Sequence, residues 1–429
     1  MRHISKLPKI NIAKSKTVIA TNHTFKLCQA MLLASLFFLA GCQSVPPATK
    51  PPVIKPATPS KPAVAPAPEK PAATNVPTQP YALLKAASWA DLPGLAKEDW
   101  VTSWRAWMQG CQGLKNKADW QAVCAVALLV KADDAVAIQA YWQQYFNVYQ
   151  TQQPEGAPQG LMTGYYQPVL KGARTASARY PVPLYKTPVD LVTVNLSSLF
   201  PELKYKRVRG RLQGQSLIPY YTRADIEQAQ SPLAGSELLW VNDSVEAFFL
   251  QVQGSGIVEL ENGERLPVGY ADQNGHPYQS IGKLLVERGE MVASEASMQG
   301  IKTWGQQHPD QLRALLDANP SYVFFKLLPA GLSGPLGALG VPLSAARSIA
   351  VDPFYIPLGA PVYLATTYPN SEAPLQQLMQ AQDTGGAIKG GVRADVYWGE
   401  GESAGKLAGA MRQQGQLWVW LPKTFPLPH

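Results

Sequence analysis

Apolar and polar positions fall into four successive patterns along the 429-residue chain. The first is an unbroken apolar run, Leu27 to Ala40 (LCQAMLLASLFFLA). The second, residues 43–80, has no periodicity. In the third, from Tyr81 to about Gln152, apolar residues recur at helical spacing. Trp100, Trp104 and Trp107 form one stripe, followed by DWQAVCAVALLVKA and DDAVAIQAYWQQYFNVYQ. The spacing predicts helices, with the tryptophans turned into a core. From about Leu161 the fourth pattern is short strand-like runs punctuated by Gly, Pro and Asn. They include MTGYYQPVL, YPVPLY and AFFLQVQGSGIVELENGERLPVGYA, the last with a hairpin signal at Asn262-Gly263. Helices are predicted around Ser280–Arg288, Ser297–Asp317 and Ser403–Gln413. SYVFFKLL, SIAVDPFYIPLGAPVYLA, LMQAQD, ADVYW and QLWVWLP read as further strands. There is no internal repeat. The expected fold class is mainly β with N-terminal helices (α+β), arranged as barrels.

Charge changes the reading of the N-terminus. The net charge of +8 suggests a polyanion partner until it is mapped along the chain. Residues 1–42 carry Arg2, Lys6, Lys9, Lys14, Lys16 and Lys26 and no acid, whereas from Tyr81 onward 28 basic residues face 29 acidic ones. A nucleic-acid-binding surface is therefore not implied. The basic segment and the short apolar run together read as a secretory signal peptide. Leu39-Ala40-Gly41-Cys42 at its end resembles the bacterial lipobox, whose cysteine is lipidated. Gln43 in the next position fits sorting to the outer membrane of a Gram-negative bacterium. Residues 1–42 are thus expected to be a lipoprotein signal, and the protein to be lipid-anchored on the periplasmic face through Cys42. Residues 43–80 hold 12 of the 38 prolines and no aromatic residue, the composition of an extended tether. With Cys28 in the signal and Cys42 at the lipid site, Cys111 and Cys124 remain. They can pair as a disulfide in an oxidising compartment or stay as two buried thiols.

Histidine scarcity bears on the chemistry. Beyond the signal only His276, His308 and His429 occur, with no HExxH, paired CxxC or GxSxG, so metal-assisted and triad chemistry are not expected. The glycines from Gly385 to Gly391 lack the lysine placement of a phosphate loop, and Gly254-Ser255-Gly256 lacks the third glycine of a dinucleotide fingerprint. No cofactor is implied. Carboxylates remain: Asp383 ends a strand-like run, and in ADVYW alternation puts Asp395 and Tyr397 on one face and Val396 on the other. An acid beside an aromatic suits a sugar site, as proton donor and flat apolar surface. A turn-capping Asp383 and a solvated Asp395 fit this stretch alone equally well.

Several motifs taken together favour the first of these. Val351-Asp352-Pro353 with Ile356-Pro357-Leu358-Gly359, Asp383-Thr384-Gly385-Gly386-Ala387-Ile388-Lys389-Gly390, and Asp395-Val396-Tyr397 are similar to the three-aspartate (3D) module, at about 345–400. Thr163-Gly164-Tyr165-Tyr166-Gln167-Pro168, the run Phe248 to Gly256, Asn319-Pro320-Ser321-Tyr322 and Gly337-Ala338-Leu339-Gly340 add to the likeness. With the lipobox, the chain resembles the membrane-bound lytic murein transglycosylase A family. The resemblance implies a double-psi β-barrel domain (81–167 and 325–429) with a second, inserted β-barrel-like domain (168–324), and a glycan groove between them. It implies cleavage of the β-1,4 bond between N-acetylmuramic acid and N-acetylglucosamine in peptidoglycan, closing a 1,6-anhydro ring, with peptidoglycan strands as substrate and wall-remodelling proteins as possible partners. By motif match Asp395 would be the single general acid and base, and Asp383 its support. Asp352 would be architectural, and Tyr165, Tyr166, Gln253, Ser255 and Tyr397 would bind glycan. Two other expectations stand beside this one: an inverting glycosidase using Asp395 and Asp383 as a pair, and a non-catalytic peptidoglycan-binding lipoprotein.

Overall fold

The computed structural model describes residues 79–203, 206 and 208–428, so the signal, Cys42 and nearly all of the tether lie outside the described residues. The chain opens with β1 (Leu84–Ala87) and three helices, α1 (Trp100–Leu114), α2 (Ala118–Ala127) and α3 (Ala135–Tyr145), then β2 (Phe146–Thr151) and β3 (Gly160–Gln167). Asp99 caps α1 by accepting from the Thr102 N–H, and Asp134 caps α3 by accepting from Val136 and Ala137. Trp104, Trp107, Cys111 and Leu114 are buried on one face of α1, so the tryptophan stripe is core. Cys111 and Cys124 are disulfide-bonded with Cα atoms 5.4 Å apart, joining α1 to α2. Replacing both cysteines with alanine is expected to cost about 3 kcal/mol, read as a lower midpoint in urea unfolding.

Next come β4 (Val169–Ala173), β5 (Val182–Tyr185), β6 (Val192–Thr193), β7 (Arg209–Gln213), β8 (Ser216–Ile218), α4 (Arg223–Ile226), β9 (Glu237–Val241) and α5 (Ser244–Gln253). They lead to β10 (Ser255–Leu260), β11 (Arg265–Gln273), α6 (Ile281–Glu287), α7 (Met298–Gln307), α8 (Pro309–Asp317) and β12 (Val323–Leu327). The chain closes with β13 (Ser348–Val351), β14 (Pro361–Thr367), β15 (Pro374–Asp383), β16 (Ala394–Glu400), α9 (Gly401–Ala410) and β17 (Arg412–Pro422).

Three expectations need correction. FNVYQ, read as the end of a helix, is β2, because Phe146 and Val148 alternate into the core and the strand pairs with β17 and β1. AFFLQVQ, read as a strand, lies in α5, where Asp243 caps the start and Gly254, at φ 78°, ends it. Its apolar side chains serve two cores, Ala247 and Leu250 facing one and Val245 and Phe248 the other. The single helix expected over Ser297–Asp317 is two, interrupted at His308-Pro309, where proline starts α8. The Asn262-Gly263 hairpin joins β10 and β11 as expected.

Two sheets carry the architecture. One runs β1-β2-β17-β14-β15-β13-β16-β3, and an added β17–β3 pairing closes its last six strands into a ring. Within the ring β13 and β15 are parallel, as are β16 and β3, and the other pairs are antiparallel. The second sheet runs β12-β11-β10-β4-β9-β5, and β6-β7-β8 form a separate three-stranded sheet whose Arg209 pairs with Asp272 of β11 at 2.8 Å. The largest core lies inside the ring and against α1–α3. The chain leaves the ring at the end of β3, builds the second sheet, and returns at β13. All described residues belong to one compact unit.

Candidate active site

Strand register brings the acids together. β13 lies between β15 and β16, and Ala350 is opposite Asp383 on one side and Asp395 on the other. A single small side chain, itself buried, therefore separates the two carboxylate positions. On the far side of β16, β3 sets Thr163 opposite Asp395 and Tyr165 opposite Tyr397. Ala394 and Val396 turn inward to the ring core, so the alternation read from ADVYW is present.

Asp395 Oδ1 accepts a hydrogen bond from the Thr163 hydroxyl, and Thr163 Oγ1 in turn accepts from Arg393 Nη2 at 2.8 Å. Burial pushes the Asp395 carboxyl above its ordinary value, and the Asp383 charge adds to the rise. The Thr163 hydrogen bond and the Arg393 charge act in the opposite direction. Burial thus favours the protonated form that a general acid requires. Thr163 and Arg393 had no assigned role in the sequence reading. Arg393 immediately precedes β16, two residues before Asp395, and that i, i+2 spacing was the available signal.

Asp383 is built differently. Its Oδ2 accepts from the Tyr165 hydroxyl at 2.9 Å, and its Oδ1 accepts from the backbone N–H groups of Ala338 at 3.0 Å and Thr384 at 2.9 Å. Burial, then the Asp383 charge, hold the Tyr165 hydroxyl well above its usual value, so it stays a neutral donor. Asp352 accepts from Phe354 N–H at 3.2 Å and from Gly390 N–H at 3.1 Å, tying its own turn to the loop that joins the two acids. The Lys389 ammonium lies 3.8 Å from Asp352 Oδ1. Gly390 has φ 114°, and a Cβ on Gly391 would run into the Gln152 carbonyl, so these glycines serve loop geometry.

A pocket of about 470 Å³ opens over this face. Tyr165, Ala350, Asp383, Asp395 and the loop from Thr384 to Ile388 line it from the ring, and Gln251, Gln253, Ser255, Tyr270 and Tyr278 from the second sheet and its neighbours. Tyr166 and Tyr397 do not line it. Tyr166 donates its backbone N–H to Gln253 Oε1 at 2.9 Å, while its hydroxyl reaches the Met298 sulfur at 3.6 Å. Tyr397 is buried with its ring centroid 5.4 Å from that of Tyr165. Gln251, part of a quoted motif but given no role in the sequence reading, is held by buried Arg223, whose Nη2 donates to Gln251 Oε1 at 2.7 Å. Among the described residues no group of three His, Cys, Asp or Glu could hold a metal ion, and no helix is long and apolar enough to cross a membrane.

Two family models match the chain: the MltA specific insert domain over residues 161–326 and the 3D domain over residues 347–421. Membrane-bound lytic murein transglycosylase A of Escherichia coli K12 is 35% identical over 272 residues, which is 62% of this chain and 66% of that protein. The match thus takes in just under two thirds of the Escherichia coli protein. The crystal structure of MltA from Neisseria gonorrhoeae, monoclinic form, is 36% identical and covers 80% of this chain and 93% of its own, with a TM-score of 0.69. The chain belongs to the membrane-bound lytic murein transglycosylase A family. A further MltA structure, from Escherichia coli with bound chitohexaose, is 28% identical over 80% of this chain and 95% of its own, with a TM-score of 0.58. The two matched segments meet at the pocket. Tyr165, Gln251, Gln253 and Ser255 come from the first matched segment, and Ala350, Asp383 and Asp395 from the second.

Proposed function

We propose that this protein is a peptidoglycan lytic transglycosylase that cuts the β-1,4 bond between N-acetylmuramic acid and N-acetylglucosamine with a single carboxyl group, Asp395. In this reading the closed ring is a double-psi β-barrel (81–167 and 325–429), residues 168–324 are its insertion, and the glycan lies in a groove that includes the pocket. The observation that carries the proposal is a buried carboxyl group, raised above its ordinary value, lining a pocket built from both sheets.

An ordinary glycosidase needs an acid for the leaving oxygen and a second carboxylate for the opposite face. One group suffices when the nucleophile belongs to the substrate. Protonated Asp395 gives its proton to the glycosidic oxygen as the C1–O bond breaks. The resulting carboxylate then takes the proton of the muramic acid C6 hydroxyl as that oxygen bonds to C1. Water is not consumed, and intramolecular attack gains from effective molarity. Thr163 occupies Oδ1 of Asp395, which directs the transferable proton to Oδ2.

The hydrogen bonds to both oxygens of Asp383 favour a supporting role over that of a base activating water. Tyr165, Gln253 and Ser255 line the pocket and would meet the sugar directly. Tyr166 and Tyr397 would act from behind it, by fixing Gln253 and Tyr165. Anchoring through lipidated Cys42 to the periplasmic face of the outer membrane completes the reading. Incubation with purified sacculi tests it: soluble muropeptides are expected, and binding without release would favour a wall-binding lipoprotein.

A further inference from the structure

The two sugars that alternate in the proposed substrate pose a problem of register. Both carry a C6 hydroxyl, so ring closure is open to either, and Asp395 alone does not decide which C1 is attacked. Muramic acid differs from N-acetylglucosamine by a lactyl ether on O3. The carboxyl group of that ether is ionised in a bare strand and amide-linked where a peptide is attached. A site that cuts at muramic acid therefore needs a group that meets those carboxyl oxygens, because specificity rests on contacts that one sugar makes and the other lacks.

The pocket over Asp395 holds one side chain suited to this. Among the described residues that line it, Lys326 is the single cation, and it comes from β12 of the second sheet, whereas Asp383 and Asp395 come from the ring. Phe324 and Phe325 just before it are buried and fix the strand, and Lys326 is the first exposed residue after them. It stands opposite Gly269 of β11, which has no side chain to pair with it. Its ammonium group has no ion-pair or hydrogen-bond partner among the described residues. The neighbouring cations are engaged: Arg393 with Thr163 and the Leu161 and Ala394 carbonyls, Arg223 with Gln251 and Glu227, and Lys389 beside Asp352. The charges acting on Asp395 are those of Arg393 and Asp383, so Lys326 is placed for binding and not for proton transfer. We infer that Lys326 is a specificity residue that receives the O3 lactyl carboxyl group of muramic acid, as an ion pair in a bare strand and as a hydrogen bond to the carbonyl where a peptide is attached. The inference rests on the proposed reaction for the identity of the sugar at Asp395.

The test measures binding in the Asp395→Asn background, where ligands are not consumed. Three probes are compared: peptide-free glycan strands bearing lactyl carboxylates, strands that keep their peptides, and chitohexaose, which has no lactyl group. Adding Lys326→Met is expected to weaken binding of the peptide-free strands about tenfold, the contribution of one hydrogen bond to a charged group, and that of the peptide-bearing strands less. Chitohexaose is expected to bind as before, which also shows that the pocket is intact, and Lys326→Arg to restore strand binding. Unchanged strand affinity in Lys326→Met overturns the inference. So does an equal loss for chitohexaose, which would make the lysine a general support of the pocket. A deeper loss for peptide-bearing than for peptide-free strands would move the contact to a peptide carboxylate and overturn the lactyl assignment. Wild-type protein that binds strands but leaves sacculi uncut would fail the proposed reaction, while the contrast between strands and chitohexaose would still decide the role of Lys326.

Discussion

Asp395→Asn is expected to lower muropeptide release from sacculi by roughly 10²–10⁴-fold, the usual contribution of a positioned general acid and base. Asparagine keeps an oxygen for the Thr163 hydroxyl but has no proton to transfer at neutral pH. The same substitution is expected to leave stability at pH 7 unchanged or increased. Because the native value of Asp395 is raised, the folded protein holds that proton more tightly than the unfolded chain does. The resulting stability is fully present below the ordinary aspartate value of 3.8 and is lost as pH rises through the native value. At pH 7 the buried carboxylate is therefore a burden that the asparagine variant lacks. Thermal unfolding beside the cleavage assay checks both halves: equal losses of activity and stability would mean that the side chain is structural.

Asp383→Asn separates support from catalysis. The amide oxygen can still accept from the Ala338 and Thr384 N–H groups, while the Tyr165 hydroxyl loses its carboxylate acceptor. Disturbing one buried hydrogen bond of this kind costs about 1–3 kcal/mol. A decrease of about ten- to a hundredfold in cleavage is expected, well short of the Asp395→Asn loss. The pH profile gives an independent sign. The Asp383 charge helps to raise Asp395, so removing it lowers the Asp395 value. Cleavage needs Asp395 protonated, and its alkaline limb is expected to move to lower pH. A loss as deep as that of Asp395→Asn, with no shift of the limb, would make Asp383 a second catalyst.

Much of the site was legible because its parts are local. The alternation in ADVYW placed Asp395 opposite Val396, and the glycine-rich segment marked a loop between two strand-borne acids. The Thr163 contact was not legible, because it crosses 232 residues of sequence and depends on β3 lying parallel to β16. Ala350 is likewise unremarkable until the register sets it between the acids. Tyr165 and Tyr166 were assigned alike, yet neighbours on a strand face opposite ways, and only Tyr165 lines the pocket. In the fold, short apolar runs misled most. AFFLQVQ is too brief to declare its period, and the useful signals were its ends, Asp243 and Gly254. FNVYQ continues the aromatic texture of α3 while its partners, β1 and β17, come from opposite ends of the described chain.

The central claim is that the substrate's own C6 hydroxyl, and not water, replaces the leaving sugar at C1. Mass spectrometry of muropeptides released from purified sacculi tests this most directly. The account predicts products ending in 1,6-anhydromuramic acid, lighter by one water than their hydrolytic counterparts and resistant to borohydride reduction. Products that end only in reducible muramic acid would contradict it and would favour an inverting hydrolase using Asp395 and Asp383 together.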